Sequence, residues 1–502
     1  MSFSFCSKSL GGFALFLIFA ATSSGVTYYV DASSGNNGNP GTTPSLAWAD
    51  LSPVNQHKFK PDDQILFRAG QVWAGVLEPH GSGTADHPII LGSYGAGAKP
   101  LFKGEGADAT LVLRNVSDWT VQGIAITNHG ASIAKRMGIL IHTSQFSSAI
   151  HLVRVDVSDV NGEIGAKSSG GIGIYASAED GNEAYFDDVL IDHCTVSHVD
   201  GEGIWFQVSG QEQRSYLNTH IRITGTTITD TGRNAIYMRG SLGALIDRNI
   251  VRFAATTKHG NAVCVGWAKD TVVRDNEVSD TGIHTGDHEN GAFDVDDGAI
   301  GTIVEYNWSH NNVGGMVNVG AQPDRDADDS DTIIRYNLSE NDGIRVFGVG
   351  GAIYNTFIYN NTVYIGKGHS PYLVTAGQYT HYPQLPSGIL FARNVIFNEG
   401  KSSFEWNATK IMADGNCYIG KSPNKPPSDG HMIIDKTPLH LSDVPIHDRG
   451  EAIRYRVPPG SGCASPSPKP SILGDRDFLG TPLDTKTDGT RGAIVSSSGK
   501  VQ

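Results

Sequence analysis

Cysteine is scarce in this chain, with five in 502 residues. Cys6 lies in the N-terminal apolar stretch, and Cys194, Cys264, Cys417 and Cys463 fit no zinc-binding spacing. Positive charge is also short: 38 Lys and Arg face 52 Asp and Glu, for a net charge of −14. That balance argues against nucleic acid or an anionic membrane surface as a partner. It disfavours a long polyanion too, unless a cation or a local basic patch intervenes. Beyond residue 25 there is no apolar run long enough to span a bilayer, so stable membrane insertion is not expected. Gly-rich phosphate loops, HExxH runs and serine nucleophile elbows are absent.

Glycine, by contrast, is abundant, at 61 residues. Glycine at this level, with ordinary hydrophobic content, suits many short strands joined by turns. Residues 1–25 read as a secretory signal: Lys8, then GGFALFLIFAA, then the small residues TSSG. Its removal would leave a charge of −15 and an exported protein, secreted or periplasmic. Export permits a disulfide, for which Cys417–Cys463 is the expected pair. Cys194 and Cys264 fall in predicted strands and read as free, buried thiols.

Internal repetition sets the fold. WTVQGIAIT from Trp119, LIDHCTVS from Leu190, LIDRNIVR from Leu245, VVRDNEVS from Val272 and IVEYNWSH from Ile303 share one pattern. IIRYNLSE from Ile333, FIYNNTVY from Phe357 and LFARNVIF from Leu390 continue it. Each is a short strand, a polar kink and a second strand. One column is asparagine six times: Asn249, Asn276, Asn307, Asn337, Asn361 and Asn394. Asparagine tolerates left-handed backbone angles, and stacked asparagines can bond from coil to coil. Loops vary in length while one turn keeps its geometry.

This pattern resembles the right-handed parallel β-helix proteins of the pectate lyase and polygalacturonase type, over roughly Tyr28 to Phe397. The opening YYVDASSGNNGNPG, with KPDDQILFRAG and PIILGSYG, is similar to the first coils of secreted members. The resemblance implies an all-β solenoid. The expected organisation is a β-helix catalytic domain over 26–397, followed by a final coil and a Pro- and Ser-rich tail over 398–502 packed on its side. Closed coil ends imply a monomer.

A third strand set lies between the asparagine repeats: GEGIWFQ (201–207), NAIYMRG (234–240), NAVCVGW (261–267), GAFDVDDG (291–298), GGMVNVG (314–320) and DGIRVFGVG (342–350). Side chains alternate along a strand. Placing Ile204, Phe206, Ile236, Met238, Phe293, Val295, Val317, Val319, Ile344 and Val346 inside puts Trp205, Gln207, Tyr237, Arg239, Asp294, Asp296, Asn318, Arg345 and Phe347 outside. Coils stack about 4.8 Å apart, so these outer residues form one patch. The turns TTKHG and IHTGDHENG add Lys258, His259, His284, Asp287, His288 and Glu289 beside it. Trp267 is a further candidate for sugar stacking.

Three carboxylates within four positions, Asp294, Asp296 and Asp297, need a proton, a cation or a substrate to offset their repulsion. A glycoside hydrolase would use Asp294 and Asp296 as its acid–base pair, with Asp297 able to replace Asp296. Their i, i+2 spacing of about 6.5–7 Å lies near the boundary of the two geometries and favours inversion. A polysaccharide lyase or uronate epimerase would instead use the aspartates to bind Ca²⁺ and Arg239 or Arg345 as base. The position matching the lyase lysine holds Asn318, which cannot serve as a base, so hydrolysis ranks first. The third reading, a glycan-binding solenoid without catalysis, predicts aromatics without converging acids.

Overall fold

The computed structural model describes residues 25–495 apart from 166–168, 179–182, 210–216, 283–288, 323–328, 379–382, 437–438, 440, 442–445, 459, 466–473 and 484–490. The segment read as a signal lies outside the described residues except for Gly25, as do His284, Asp287 and His288. Among the described residues three long sheets run side by side, with 16, 14 and 11 strands. The strands pair in parallel, each one adding to the strand a coil earlier in the same sheet. The chain visits the sheets in turn. In one coil Val272–Arg274 joins the first sheet, Glu277–Ser279 the second and Gly291–Val295 the third. The fold is a parallel β-helix, in which a strand has the coil before and the coil after as its hydrogen-bonding partners.

The core runs down the middle as a continuous stack. Ile246, Val273, Val304, Ile334 and Ile358 point inward from the first sheet. Val251, Val278, Phe293, Val295, Val317 and Val319 meet them from the other two. A short helix, Leu51–Gln56, contributes Leu51 and Val54 at the N-terminal end. Asp50 caps this helix by accepting from Ser52 N.

The corner between the first and second sheets explains the repeated asparagine. Asn307 donates from Nδ2 to Val273 O at 2.9 Å and to Asn337 Oδ1 at 3.0 Å. Its own Oδ1 accepts from the backbone and side-chain N–H groups of Asn276 at 2.9 and 3.0 Å. The ladder runs through all six predicted positions and one more, Asn416, before ending on Asp429. The left-handed angle, however, belongs to the preceding residue. Arg248, Asp275, Tyr306, Tyr336, Asn360 and Arg393 have φ of 53–57°. The asparagine is selected because its amide satisfies backbone groups inside a buried corner, not because it must adopt that angle itself.

After the last coil the chain turns back. Tyr455, Phe478 and Ile494 bury themselves with Tyr306, Tyr336 and Leu338 in a second apolar cluster outside the β-helix. Arg449 and Arg476 both pair with Asp275, at 3.2 and 2.7 Å. Cys417 and Cys463 form a disulfide that ties a second-sheet coil to this segment. Cys194 and Cys264 are buried thiols outside any disulfide.

Candidate active site

The third sheet carries the patch on its outer face. Its register places Trp205, Tyr237, Cys264, Asp294 and Asn318 side by side on successive coils. A parallel row holds Gln207, Arg239 and Gly266, and a Cβ at Gly266 would lie 3.6 Å from that of Asp296. Strict alternation fails at the strand starts. There, two consecutive residues face inward: Ala262 and Val263, Ala292 and Phe293, Met316 and Val317, Val346 and Phe347. A corner precedes each strand, and alternation begins only after it. This corrects two positions. Phe347 is in the core against Phe391, while Ile344 is 36% exposed. Gly348, rather than Phe347, follows Asn318 on the outer row.

Asp294 is the best-held carboxylate of the cluster. Asn318 Nδ2 donates to its Oδ1 at 3.0 Å. Asn261 Nδ2 donates to its Oδ2 at 3.0 Å, and the Cys264 thiol reaches the same oxygen at 3.5 Å. The thiol also lies 3.9 Å from Asp296 Oδ2. Ligand atoms of Cys264, Asp294 and Asp296 all fall within 4.8 Å of one another. Asp294 is only 8% exposed. Burial, followed by the like charges of Asp296 and Glu289, pushes its carboxyl well above the usual range, while the Asn318 and Cys264 donors pull it back. Asp296 is half-buried. Asp297 is engaged elsewhere: its Oδ1 accepts from Gln322 N at 2.8 Å, and its carbonyl accepts from Trp267 N.

A cavity of about 520 Å³ opens beside Asn318. Glu289, Arg345, Tyr372, Gln378, Glu405 and Asn407 contribute to its walls. Its floor comes from sequence. One residue beyond the Val295–Val319 pairing the outer row reads Gly320, Gly350, Gly377 on successive coils. Glycines on a sheet face leave bare backbone, which lets a ligand approach closely. Tyr372, 39% exposed, stands at the rim. The cavity meets the acid cluster at Asn318, the residue that donates to Asp294, and extends from there along the solenoid axis.

The other expected site residues divide. Glu289, Asn318 and Arg345 line the cavity. Arg239 lies over the Tyr237 ring, 5.5 Å from its centroid. Trp205 and Tyr237 are not an open stacking platform: they are 7% and 2% exposed and pack with Met137 and Cys264. Trp267 is buried against Gly298, at the far end of its strand. Lys258 and His259 sit on the turn before the third sheet and do not line the cavity.

No protein-family model matches the chain. A lacto-N-biosidase from Bifidobacterium longum subsp. longum is 25% identical over an alignment 520 positions long that covers 82% of this chain. The match spans only 32% of that protein's length, about a third. An alpha-1,3-galactosidase A from Akkermansia muciniphila is 33% identical over 64 residues, 13% of this chain and 11% of its own. Among solved structures, the GH136 lacto-N-biosidase from Eubacterium ramulus superposes with a TM-score of 0.61 at 20% identity, covering 77% of this chain and 68% of its own. A mutant of the PL6 family alginate lyase AlyGC superposes with a TM-score of 0.51 at 16% identity, covering 78% and 53%. At these identities the structural likenesses establish the shared fold.

The ligand atoms that converge here are fewer and softer than the set calcium prefers. Ca²⁺ takes six to eight oxygen ligands. Both oxygens of Asp294 already accept amide N–H groups, and the third member of the cluster is a thiol, a soft ligand. Sequence reasoning placed Cys264 in a strand but did not use its position. Flanked by Val263 and Val265, it had to face outward with Tyr237 and Asp294. Asn261, Tyr372 and Glu405 were also missed; nothing in their local sequence distinguishes them before the coils are stacked.

Proposed function

We propose that the protein is a glycoside hydrolase acting on an oligosaccharide, with Asp294 as its central carboxylate and Asp296 as its partner. The observation that carries this reading is a carboxylate fixed on both oxygens, within 4.8 Å of a second one, beside an open cavity with a bare backbone floor. Carboxylate oxygens that approach within 4.8 Å support the shorter, retaining geometry over the inversion expected from the spacing alone, and retention is the reading adopted here. Burial and Asp296 favour a proton on Asp294, so the pair carries one shared proton. When it sits on Asp296, Asp294, held by three donors, is the anion that attacks the anomeric carbon. Asp296 protonates the departing glycosidic oxygen, then takes a proton from the water that releases the sugar.

The lyase reading has less support. Asn318 stands where the base would be and is committed to Asp294. Glu289 and Glu405 in the cavity wall face a single Arg345 among the wall groups named above, an environment that repels a uronate. The relatives named lacto-N-biosidase make an aryl lacto-N-bioside the first substrate to try. The disulfide supports export into an oxidising compartment.

The test is hydrolysis of aryl and natural glycosides, with the anomer released first read by NMR. Retention, loss of turnover in Asp294→Asn, and capture of a glycosyl azide by Asp294→Ala are the expected results. Product of inverted configuration would remove Asp294 as nucleophile. Absorbance from an unsaturated uronate would replace hydrolysis by elimination.

A further inference from the structure

Behind Asp294 lies a chain of buried polar groups that crosses three coils. Asn261 Nδ2 donates to Asp294 Oδ2 at 3.0 Å. Asn261 Oδ1 accepts from Gly291 N at 2.8 Å. A backbone N–H can only donate, so this contact fixes which end of the amide faces Asp294. One coil back, Asn234 Oδ1 accepts from Asn261 N at 2.7 Å, which fixes the second amide in the same way. Asn234 Nδ2 then donates to Glu202 Oε2 at 2.9 Å. Glu202, fully buried, pairs with Arg233 at 3.2 Å, and Arg233 reaches Ile164 O at 3.3 Å.

A buried Glu–Arg pair is a costly feature beside an apolar core. Simple capping of the third sheet does not require it, since Gly170 and Gly315 occupy equivalent strand starts on other coils. What the pair supplies is a fixed charge at the end of the amide chain. Asn234 therefore cannot turn over without losing its bond to Glu202, and Asn261 cannot turn over without setting its carbonyl against Asp294.

We propose that Asn261 is a positioning residue for Asp294, and that the buried Glu202–Arg233 pair holds it in place through Asn234. The proposal rests on reading Asp294 as the reacting carboxylate. Asn261 presents one donor to one oxygen and Asn318 the other donor to the other oxygen, so the carboxylate is held from both sides beside Asn318, which lines the cavity. The ionisable groups facing Asp294 are Asp296 and Glu289, both of like charge, and the Cys264 thiol. Amide donors are therefore needed to keep Asp294 available as an anion.

Asn261→Asp is the discriminating variant. It keeps the volume and the acceptor for Gly291 N, so a merely structural role survives. It exchanges the donor on Asp294 for a like charge. The expected result is a fall in kcat of about 10- to 100-fold or more, with KM little changed and the acidic limb of kcat/KM moved to higher pH. Asn234→Ala should move the same limb in the same direction by less. A second readout does not use activity: the ¹³C carboxyl signal of Asp294, identified by its absence in Asp294→Asn, titrates at higher pH in Asn261→Asp. An unmoved limb and an unmoved signal in folded Asn261→Asp would overturn the proposal. An effect in Asn261→Asp without any in Asn234→Ala would overturn the part assigned to Glu202 and Arg233. If no glycoside is turned over by the wild-type protein, the hydrolase reading fails, and the carboxyl titration still decides the role of Asn261.

Discussion

Gly348→Ala tests whether the cavity wall and the acid cluster are mechanically one. Gly348 follows Asn318 on the outer row of the third sheet. A Cβ there would lie 2.6 Å from Arg345 Nε and 2.7 Å from Asn318 Oδ1. Ordinary contacts with such atoms need about 3.4 Å, so each neighbour must give by roughly 0.7 Å. The backbone itself accepts alanine, because Gly348 is not among the residues with positive φ. The cost to stability is that of mild overpacking, about 1–3 kcal/mol. The cost to function is larger, because Asn318 holds Asp294 at 3.0 Å and cannot move that far and keep the bond. A displacement of this size at a reacting group is worth about 100-fold in rate. We therefore expect kcat/KM to fall about 10- to 100-fold, with a loss in Tm of only about 1–5 °C. Steady-state kinetics on an aryl glycoside and a thermal melt measure both. Wild-type kcat/KM in Gly348→Ala would refute the coupling of Arg345, Asn318 and Asp294.

Three further outcomes follow from the same structure. Asn307→Ala leaves Asn276 N–H and Val273 O without their partners inside a buried corner, which should cost about 3–5 kcal/mol in chemical unfolding; a loss below about 1 kcal/mol would mean the corner relaxes. Asp294→Asn should be inactive yet at least as stable as the wild type at neutral pH. The native Asp294 carboxyl is pushed up by burial, so the folded state holds the proton more tightly, and stability falls as pH rises above the unfolded value of about 4. An amide escapes that loss, since Asn318 can turn to meet it, and the advantage in Tm should close as the pH falls to about 4. Removing the Cys417–Cys463 bridge, which spans 46 residues, should cost about 4 kcal/mol in the loop-entropy picture. It should expose the C-terminal segment to protease and leave kcat/KM intact, because neither cysteine lines the cavity.

The fold was legible because its signal repeats. Six asparagines in register, each followed by a second strand, mark one corner six times, and a stacked solenoid asks for the same buried amide at every turn. What the sequence hid was the local geometry of that corner. The left-handed residue is Arg, Asp, Tyr or Asn in the ladder coils, and no composition rule points to tyrosine or arginine at such an angle. Neighbours above and below impose it. The seventh rung, Asn416, escaped notice because its coil is only 22 residues after Asn394.

The site was legible where the alternation of a single strand carries the information. Asp294 and Asn318 face outward because Phe293, Val295, Val317 and Val319 must face in. Where the chain rounds a corner the rule breaks, and Phe347 was assigned to the wrong side. Residues that meet only through stacking were beyond reach from one strand at a time. Glu405 belongs with Asp294 because Asn318, Gly348, Thr375 and Glu405 continue one row across four coils. The charge density of the DVDD strand then has a physical account. Asp294 is offset by three donors from two neighbouring coils, and Asp297 by a backbone N–H. Asp296 is left half-buried, with the Cys264 thiol 3.9 Å from its Oδ2. That asymmetry, one carboxylate fixed on both oxygens and one more open to solvent, suits the retaining mechanism proposed above.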